Sequence, residues 1–402
     1  MSEEVRMALV GCGGIAQAHL RGYQQIFERK LLPFRFDAVC DTVPESAQGA
    51  AESIAKVQGD TPTVYTDLEE MLHKENDLDG ADICTPHGLH HVAAIACLDA
   101  GLSIICEKPI GVTVKATKAI IEASERSGKI AATAEHCRRT PGQRAVHWAL
   151  NDRKMIGEPR IWYALSAGYQ APNPETNWIW RADRFLGGCG MVMDSGAHWA
   201  DTIRYFFGDV KDVFAEVRQI EPRPMKKDDE TFMDLREDTW VAIINFESGV
   251  IGTWSWTIAA PANPFLVVNF YGSTGCIEDK GDVFHPFTSQ ERGQVHSGDG
   301  VTYSIGKLKQ MYMESLTKDE RNHLFPGGLE DGFALELHDF MRALHTGSSV
   351  ELDAAEGLKS KAICEAIYES GKTSQKVTIQ EVIEGKVSEF QQDIDEHWGL
   401  EG

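Results

Sequence analysis

Lys108 closes the apolar run Ser103-Ile104-Ile105-Cys106 in the setting Glu107-Lys108-Pro109, and Asp194, His198 and Asp201 stand further along at i, i+4 and i+7. On a helix that spacing puts a carboxylate, an imidazole and a second carboxylate on one face. Oxidation of an alcohol needs this kind of group, because hydride leaves carbon only as a proton leaves oxygen. Histidine titrates near neutrality, and a neighbouring Asp fixes its tautomer and supports its charged form. Pro109 restricts Lys108 to extended backbone, so the amine is aimed by a stiff chain. Each feature has a plainer alternative. A single Lys is usually a solvated charge, and Asp194 or Ser195 could cap a helix in which His198 is a buried, hydrogen-bonded side chain.

These residues gain weight from a second pattern. The strand-like run Arg6-Met7-Ala8-Leu9-Val10 leads into Gly11-Cys12-Gly13-Gly14-Ile15-Ala16. In a dinucleotide fold the first glycine permits the strand-to-helix turn, the second lets backbone approach a pyrophosphate, and the small third residue packs helix on strand. Free N–H groups and the positive end of the helix then face the anion. Asp41 ends the next strand, placed to accept hydrogen bonds from ribose hydroxyls. Its charge would repel a 2'-phosphate and no Arg follows it, so NAD is favoured over NADP. Thr85-Pro86-His87-Gly88 ends a third apolar run, where doubly wound sheets place ligand-binding loops.

The elements that must position these residues follow from the alternation of short apolar runs with segments of helical spacing up to about residue 135. Strands are expected at 6–10, 36–40, 81–85, 103–106 and 130–134, and helices at 15–28, 45–57, 68–73, 90–100 and 114–127, giving a parallel sheet covered on both faces. Beyond about residue 155 period-two runs at 160–166, 212–218, 239–245, 250–258 and 265–271 predict a large, mostly antiparallel open sheet, interrupted by a helix at 195–207. Residues 280–330 are rich in Gly, Ser and charge and read as an insertion or partner-facing loop. Helical spacing returns at 329–344 and 354–369. The fold class is therefore α/β, an N-terminal Rossmann doubly wound sheet plus a C-terminal α+β domain, divided as 1–135, 136–385 and an acidic tail at 386–402.

With 61 acidic against 39 basic residues among 402, the net charge is -22. Neither nucleic acid nor an anionic membrane surface is an expected partner. No run reaches the roughly 18 apolar residues of a spanning helix, and a cytoplasmic location is expected. The nine cysteines are scattered without a C-x-x-C pair and read as reduced core residues; no metal site is expected.

Together, G-x-G-G-x-A, the Thr-Pro loop, C-E-K-P and D-S-G-A-H-W-A-D resemble the Gfo/Idh/MocA oxidoreductases, and the likeness runs over nearly the whole chain. The resemblance implies NAD-dependent hydride transfer between nicotinamide and a ring secondary alcohol of a sugar, cyclitol or glycoside. Carried over by position, Lys108 hydrogen-bonds the reacting oxygen, His198 takes its proton, and Asp194 assists and orients. It implies cofactor contacts from Gly11, Gly13, Gly14, Ile15, Asp41, Thr85, Pro86, His87, His90, Glu107, Lys108 and His136. A substrate pocket is expected from Lys108, Arg138, Tyr169, Trp178, Trp180, Arg181, Asp194 and His198, with aromatic faces for a sugar ring and Arg for hydroxyls or a carboxylate; the tryptophans could equally be core. Two departures stand out: His87 where the family commonly has Asn, and Glu135-His136-Cys137-Arg138 where it has Asn-x-Arg. The alternatives kept open are redox-assisted glycoside cleavage with retained NAD, and a dihydrodiol dehydrogenase. A homodimer or homotetramer is expected, since the family's exposed sheet usually pairs.

Overall fold

The computed structural model describes residues 4–173, 179–227, 230–281, 284–287 and 292–400. Its contacts divide the chain into two compact units, residues 1–139 with 318–358, and 140–317 with 359–402. This differs from the division expected at 135 and 385: residues 318–358 pack with the first unit, and the chain beyond 385 packs with the second.

In the first unit six strands, β1 (Val5–Val10), β2 (Phe34–Cys40), β3 (Thr63–Tyr65), β4 (Gly80–Ile83), β5 (Ser103–Glu107) and β6 (Ala131–Ala134), form a parallel sheet in the order β3-β2-β1-β4-β5-β6. Five helices alternate with them: α1 (Gly14–Glu28), α2 (Pro44–Gln58), α3 (Leu68–Lys74), α4 (His90–Asp99) and α5 (Val114–Ser127). β4 and β5 are buried along their length, as expected of strands covered on both faces. α5 starts where the Thr113 side chain accepts the Ala116 N–H and stops at Gly128 in the left-handed region. The helix Gly332–Thr346 starts with Asp331 accepting the Ala334 N–H at 2.9 Å and packs on α1. The two approach closely at Gly22, where an added Cβ would lie 2.8 Å from a Leu337 methyl and 3.1 Å from the Ala334 nitrogen.

Two imidazoles buried in this unit give it an acid sensitivity. Burial pushes both His91 on α4 and His338 on the helix Gly332–Thr346 down to about 4. An unfolded histidine binds protons near its ordinary value of about 6.5, so below that pH the unfolded chain takes up protons that the folded unit refuses. Stability is therefore expected to fall as pH drops from about 6.5 towards 4, by on the order of 2–3 kcal/mol per residue at the acid end. Melting temperatures across this window should decline, and less so in a His91→Gln/His338→Gln variant. Identical pH slopes for wild type and variant would contradict the assignment.

The second unit is built on a nine-stranded mixed sheet. Its strands are β7 (Pro159–Ala167), β8 (Val210–Arg218), β11 (Thr239–Phe246), β12 (Ile251–Thr257), β13 (Phe265–Gly272), β14 (Cys276–Asp279), β15 (Gly293–His296), β16 (Thr302–Ser304) and β17 (Val377–Thr378). They are ordered β16-β15-β14-β13-β7-β12-β11-β8-β17, while β9 (Arg223–Lys227) and β10 (Glu230–Asp234) pair as a separate ribbon. Only β7 and β12 run parallel; the other pairs in this sheet are antiparallel. The expected loop at 280–330 is corrected: its described part carries β15, β16 and the helices Ile305–Ser315 and Lys318–Leu324, the last belonging to the first unit.

Alternation decides what each sheet face does. Along β11, Trp240, Ala242, Ile244 and Phe246 point into the core, where Trp162, Trp199, Trp254 and Phe270 are also fully buried. Each such aromatic contributes roughly 1.5–3 kcal/mol by burial. Gly252 is required here, because a Cβ on it would come 1.9 Å from the Trp162 ring. The acidic tail is packed: Ile394 is buried in the helix Gln392–His397, Arg184 pairs with Asp393 at 2.8 Å, and the Trp398 indole N–H donates to the Phe185 carbonyl at 3.1 Å. Among the described residues no helix is long and apolar enough to cross a membrane.

Candidate functional site

In the first unit the strand order reverses between β1 and β4, the position where open α/β sheets bind ligands beyond the strands' carboxyl ends. The glycine turn sits there. Gly11 has a φ of +85°, and a Cβ on it would lie 2.6 Å from the Cys84 carbonyl carbon and 2.7 Å from the Thr85 nitrogen. Only glycine fits. Gly13, the N-cap of α1, faces open space, with no atom within 4 Å of an added Cβ. Gly14 and Ile15 open α1, whose first turn carries no acidic side chain, so its free N–H groups offer an unopposed positive end to a phosphate. Ala16 is fully buried, as the helix-on-strand contact requires.

Asp41 braces this turn. Its Oδ2 accepts the Cys12 N–H at 2.7 Å and its Oδ1 accepts the Val43 N–H at 2.8 Å. A carboxylate has further lone pairs, so both oxygens can still accept ribose hydroxyls. Pro86 caps a 3-10 turn, His87–Leu89, in which His87 is buried. The Thr85 hydroxyl oxygen is buried with no hydrogen-bond partner among the described residues. An open cradle at Gly13, a positive helix end and an orphaned hydroxyl beside the turn fit NAD.

Lys108 follows the end of β5, half-buried, with its backbone N–H donating to the Glu107 Oε2 at 2.9 Å. The other expected cofactor residues behave differently. His90 is fully buried, with Nδ1 2.9 Å from the Pro109 carbonyl and Nε2 2.8 Å from the Thr85 carbonyl. Its ring therefore ties the loop after β4 to the loop after β5. Glu107 is also turned inward, with Oε1 3.0 Å from the His19 Nε2. His136 stacks on Phe333, ring centroids 4.1 Å apart and planes 18° from parallel. Arg138 is buried in the 3-10 turn Cys137–Arg139.

In the second unit the helix runs Gly196–Phe207, so Asp194 lies in the turn ahead of it and not on it. The expected helical face is corrected accordingly: His198 and Asp201 share the helix, while Asp194 is held by Arg181, whose Nε is 2.7 Å from Oδ2. Asp201 is buried and accepts the Ser360 hydroxyl at 3.2 Å. The His198 ring lies 4.8 Å from that of His285, which the sequence did not single out. Trp180 packs its ring 4.4 Å below the Arg181 guanidinium, an amphipathic pair beside Asp194. Tyr169 is half exposed at 50%. Trp178 lies outside the described residues.

The turn carrying Asp194 is clamped from behind by residues that sequence reasoning missed. The Gly190 N–H donates to the Tyr368 hydroxyl at 3.2 Å, that hydroxyl donates to the Glu237 Oε1 at 3.0 Å, and the Val192 N–H donates to the same oxygen at 2.9 Å. A Cβ on Gly190 would come 2.3 Å from the Glu237 Oε2, so any larger residue there would have to displace that carboxylate. Burial raises the Glu237 carboxyl above its usual range, opposed by these hydrogen bonds. A glutamate at the mouth of a period-two run, with a tyrosine far along a later helix, gave no local signal for this contact.

Residues 5–135 match the NAD-binding Rossmann fold of the Gfo/Idh/MocA oxidoreductase family, and residues 152–379 match that family's C-terminal α/β domain. The chain belongs to the Gfo/Idh/MocA oxidoreductase family. It is an NAD-binding oxidoreductase by that membership. Among curated relatives it is 26% identical to a levoglucosan dehydrogenase of Pseudarthrobacter phenanthrenivorans, over 94% of this chain and 99% of the relative. It is 24% identical to an inositol 2-dehydrogenase of Pseudarthrobacter chlorophenolicus, over 94% and 97%. The fold agrees with the crystal structure of an oxidoreductase domain protein from Kribbella flavida, at a TM-score of 0.77 and 23% identity over 94% of this chain and 100% of that one. Levoglucosan dehydrogenase in complex with NADH and levoglucosan gives a TM-score of 0.74 at 23% identity, with the same coverage.

Proposed function

We propose that this Gfo/Idh/MocA chain oxidises a ring secondary alcohol of a sugar, cyclitol or glycoside with NAD, or runs the reverse reduction. The observation that carries this reading is Lys108, fixed by its backbone at the carboxyl end of β5, on the same sheet edge as the glycine turn. The relatives named as levoglucosan and inositol dehydrogenases support a sugar or cyclitol. Gly11, Gly13, Gly14 and Ile15 would hold the pyrophosphate, Asp41 the adenosine ribose, and Thr85 would supply its hydroxyl. When bound, NAD supplies the hydride acceptor. Lys108 hydrogen-bonds the reacting oxygen and stabilises the charge that develops there, His198 takes the proton, and Asp194 orients the substrate while Arg181 fixes Asp194. Trp180 and Tyr169 offer flat apolar surface to a ring, and Arg138 and Arg181 offer donors to its hydroxyls. Incubation of the protein with NAD and a panel of sugars, cyclitols and glycosides tests this: a ketone two mass units lighter than one panel member, with equimolar NADH, is expected. An aglycone released without NADH would overturn it.

We also propose a homodimer or homotetramer closed through the outer face of the nine-stranded sheet. Phe214, Val241, Ile243, Ile251, Phe265 and Tyr271 are each at least 39% exposed on this face, and Phe214 and Ile243 are direct cross-strand partners. A solvated sheet face ordinarily alternates to polar side chains, and a contiguous apolar one marks an interaction surface. Sedimentation velocity should show an oligomer that Phe214→Asp/Ile243→Asp reduces to monomer. A wild-type monomer at micromolar concentration would contradict the assignment. No disulfide joins the nine cysteines and seven of them are buried, which supports a reducing compartment, and the cytoplasm is the proposed location.

A further inference from the structure

Beneath the carboxyl ends of β4 and β5 lies a charged cluster that no part of the reaction above uses. His19 on α1 is completely buried, with Nδ1 2.9 Å from the Asp82 Oδ2 and Nε2 3.0 Å from the Glu107 Oε1. A neutral imidazole has one N–H, and here both ring nitrogens face carboxylates, so the geometry asks for two donors. Burial, the largest single effect, would lower the His19 pKa, but the charges of Asp82 and Cys84 together with the hydrogen bonds to both outweigh it and hold the ring well above its ordinary value. The remaining groups facing the ring are the Cys84 thiol, 3.5 Å from Nδ1, the Glu336 carboxyl, 3.8 Å from Nε2, and the Phe333 ring at 5.8 Å between centroids. Burial raises the Glu336 carboxyl well above the usual range, and neither of its oxygens has a hydrogen-bond partner among the described residues. Arg139, whose charge acts on Glu336, is itself engaged by Asp339 at 3.1 Å and Glu351 at 3.3 Å.

Glu107 links this cluster to the reactive edge of the sheet. One of its oxygens takes the His19 N–H, and the other takes the backbone N–H of Lys108. A carboxylate held at both oxygens cannot rotate, so the Lys108 backbone inherits its position from a ring two layers deeper. Close packing at Gly22 keeps α1 in place, which fixes His19 in turn. We propose that His19 is a positioning residue for Lys108, acting as a buried imidazolium that braces Glu107 between Asp82 and the Lys108 amide. The proposal rests on the role assigned to Lys108 in the reaction.

Two variants test it. His19→Gln can donate to only one carboxylate, and His19→Phe keeps a ring in the site while donating to neither. In both, hydrogen–deuterium exchange of the Lys108 amide, read in a short peptide ending ahead of the next amide-rich segment, should quicken at least tenfold. With a substrate in hand, kcat should fall about tenfold while NAD affinity stays within threefold, since a displacement of an ångström at a reacting group is costly whereas the glycine turn is untouched. The double variant His19→Gln/Asp82→Asn restores an unbroken donor–acceptor chain without charge, and should regain most of both losses. Unchanged exchange in folded His19→Phe overturns the proposal. Exchange that quickens while Lys108→Met keeps full activity would instead overturn the role of Lys108, leaving the brace itself standing.

Discussion

Lys108→Met should lower kcat by about 10²–10⁴-fold while leaving NAD affinity within a few fold. Methionine keeps the length and apolar stem of the side chain and removes only the ammonium, so the loss reports the charge and hydrogen bond at the reacting oxygen. Groups placed to stabilise developing charge are worth this much because they are fixed before the reaction begins. Lys108 is placed by backbone, with its N–H on Glu107 and its neighbour Pro109 tied to His90. Single-turnover kinetics with a titration of NAD binding would separate the two effects. A Lys108→Met enzyme with full kcat would remove the amine from the mechanism.

His198→Asn should cost about 10²–10⁴-fold in kcat, with a distinct pH signature. A general base contributes through the proton it accepts, so its loss leaves water or hydroxide to take that proton, and the residual rate should climb steadily with pH where the wild type levels off. Asn keeps a hydrogen-bonding side chain on the helix Gly196–Phe207 and should leave the fold intact. Asp194 lies ahead of this helix, salt-bridged to Arg181 and carried on a turn that Glu237 and Tyr368 clamp. A variant whose rate profile keeps the wild-type shape, merely scaled down, would assign the proton to another group.

Much of this was legible from residue order alone. In the first unit, buried strands appear as apolar runs and the helices between them as amphipathic segments, and α5 begins and ends at the residues its cap and its glycine predict. β3 escaped because three residues, two of them solvent-facing to some degree, carry no period. The same shortness hid β14, β15 and β16, whose three or four residues each are strands only because a neighbour pairs with them. Asp194 was misplaced onto a helix because the i, i+4, i+7 spacing is a necessary mark of a shared face and not a sufficient one; Gly190 and its clamp end the turn later than the spacing implies. The cluster around His19 was hidden for a different reason. His19, Asp82, Glu107 and Glu336 come from α1, β4, β5 and a helix far along the chain, and only the tertiary fold makes them neighbours. Asp82 within Gly80–Ile83 did carry a signal, since a carboxylate in a wholly buried strand must have a partner.

The central claim is direct hydride transfer from a ring carbon to nicotinamide, and isotopic labelling tests it most directly. With a substrate from the panel carrying deuterium at the carbon that becomes the ketone, mass spectrometry of the recovered cofactor should show NADH one mass unit heavier, with no label in solvent. Unlabelled NADH, or deuterium released to water, would contradict the account.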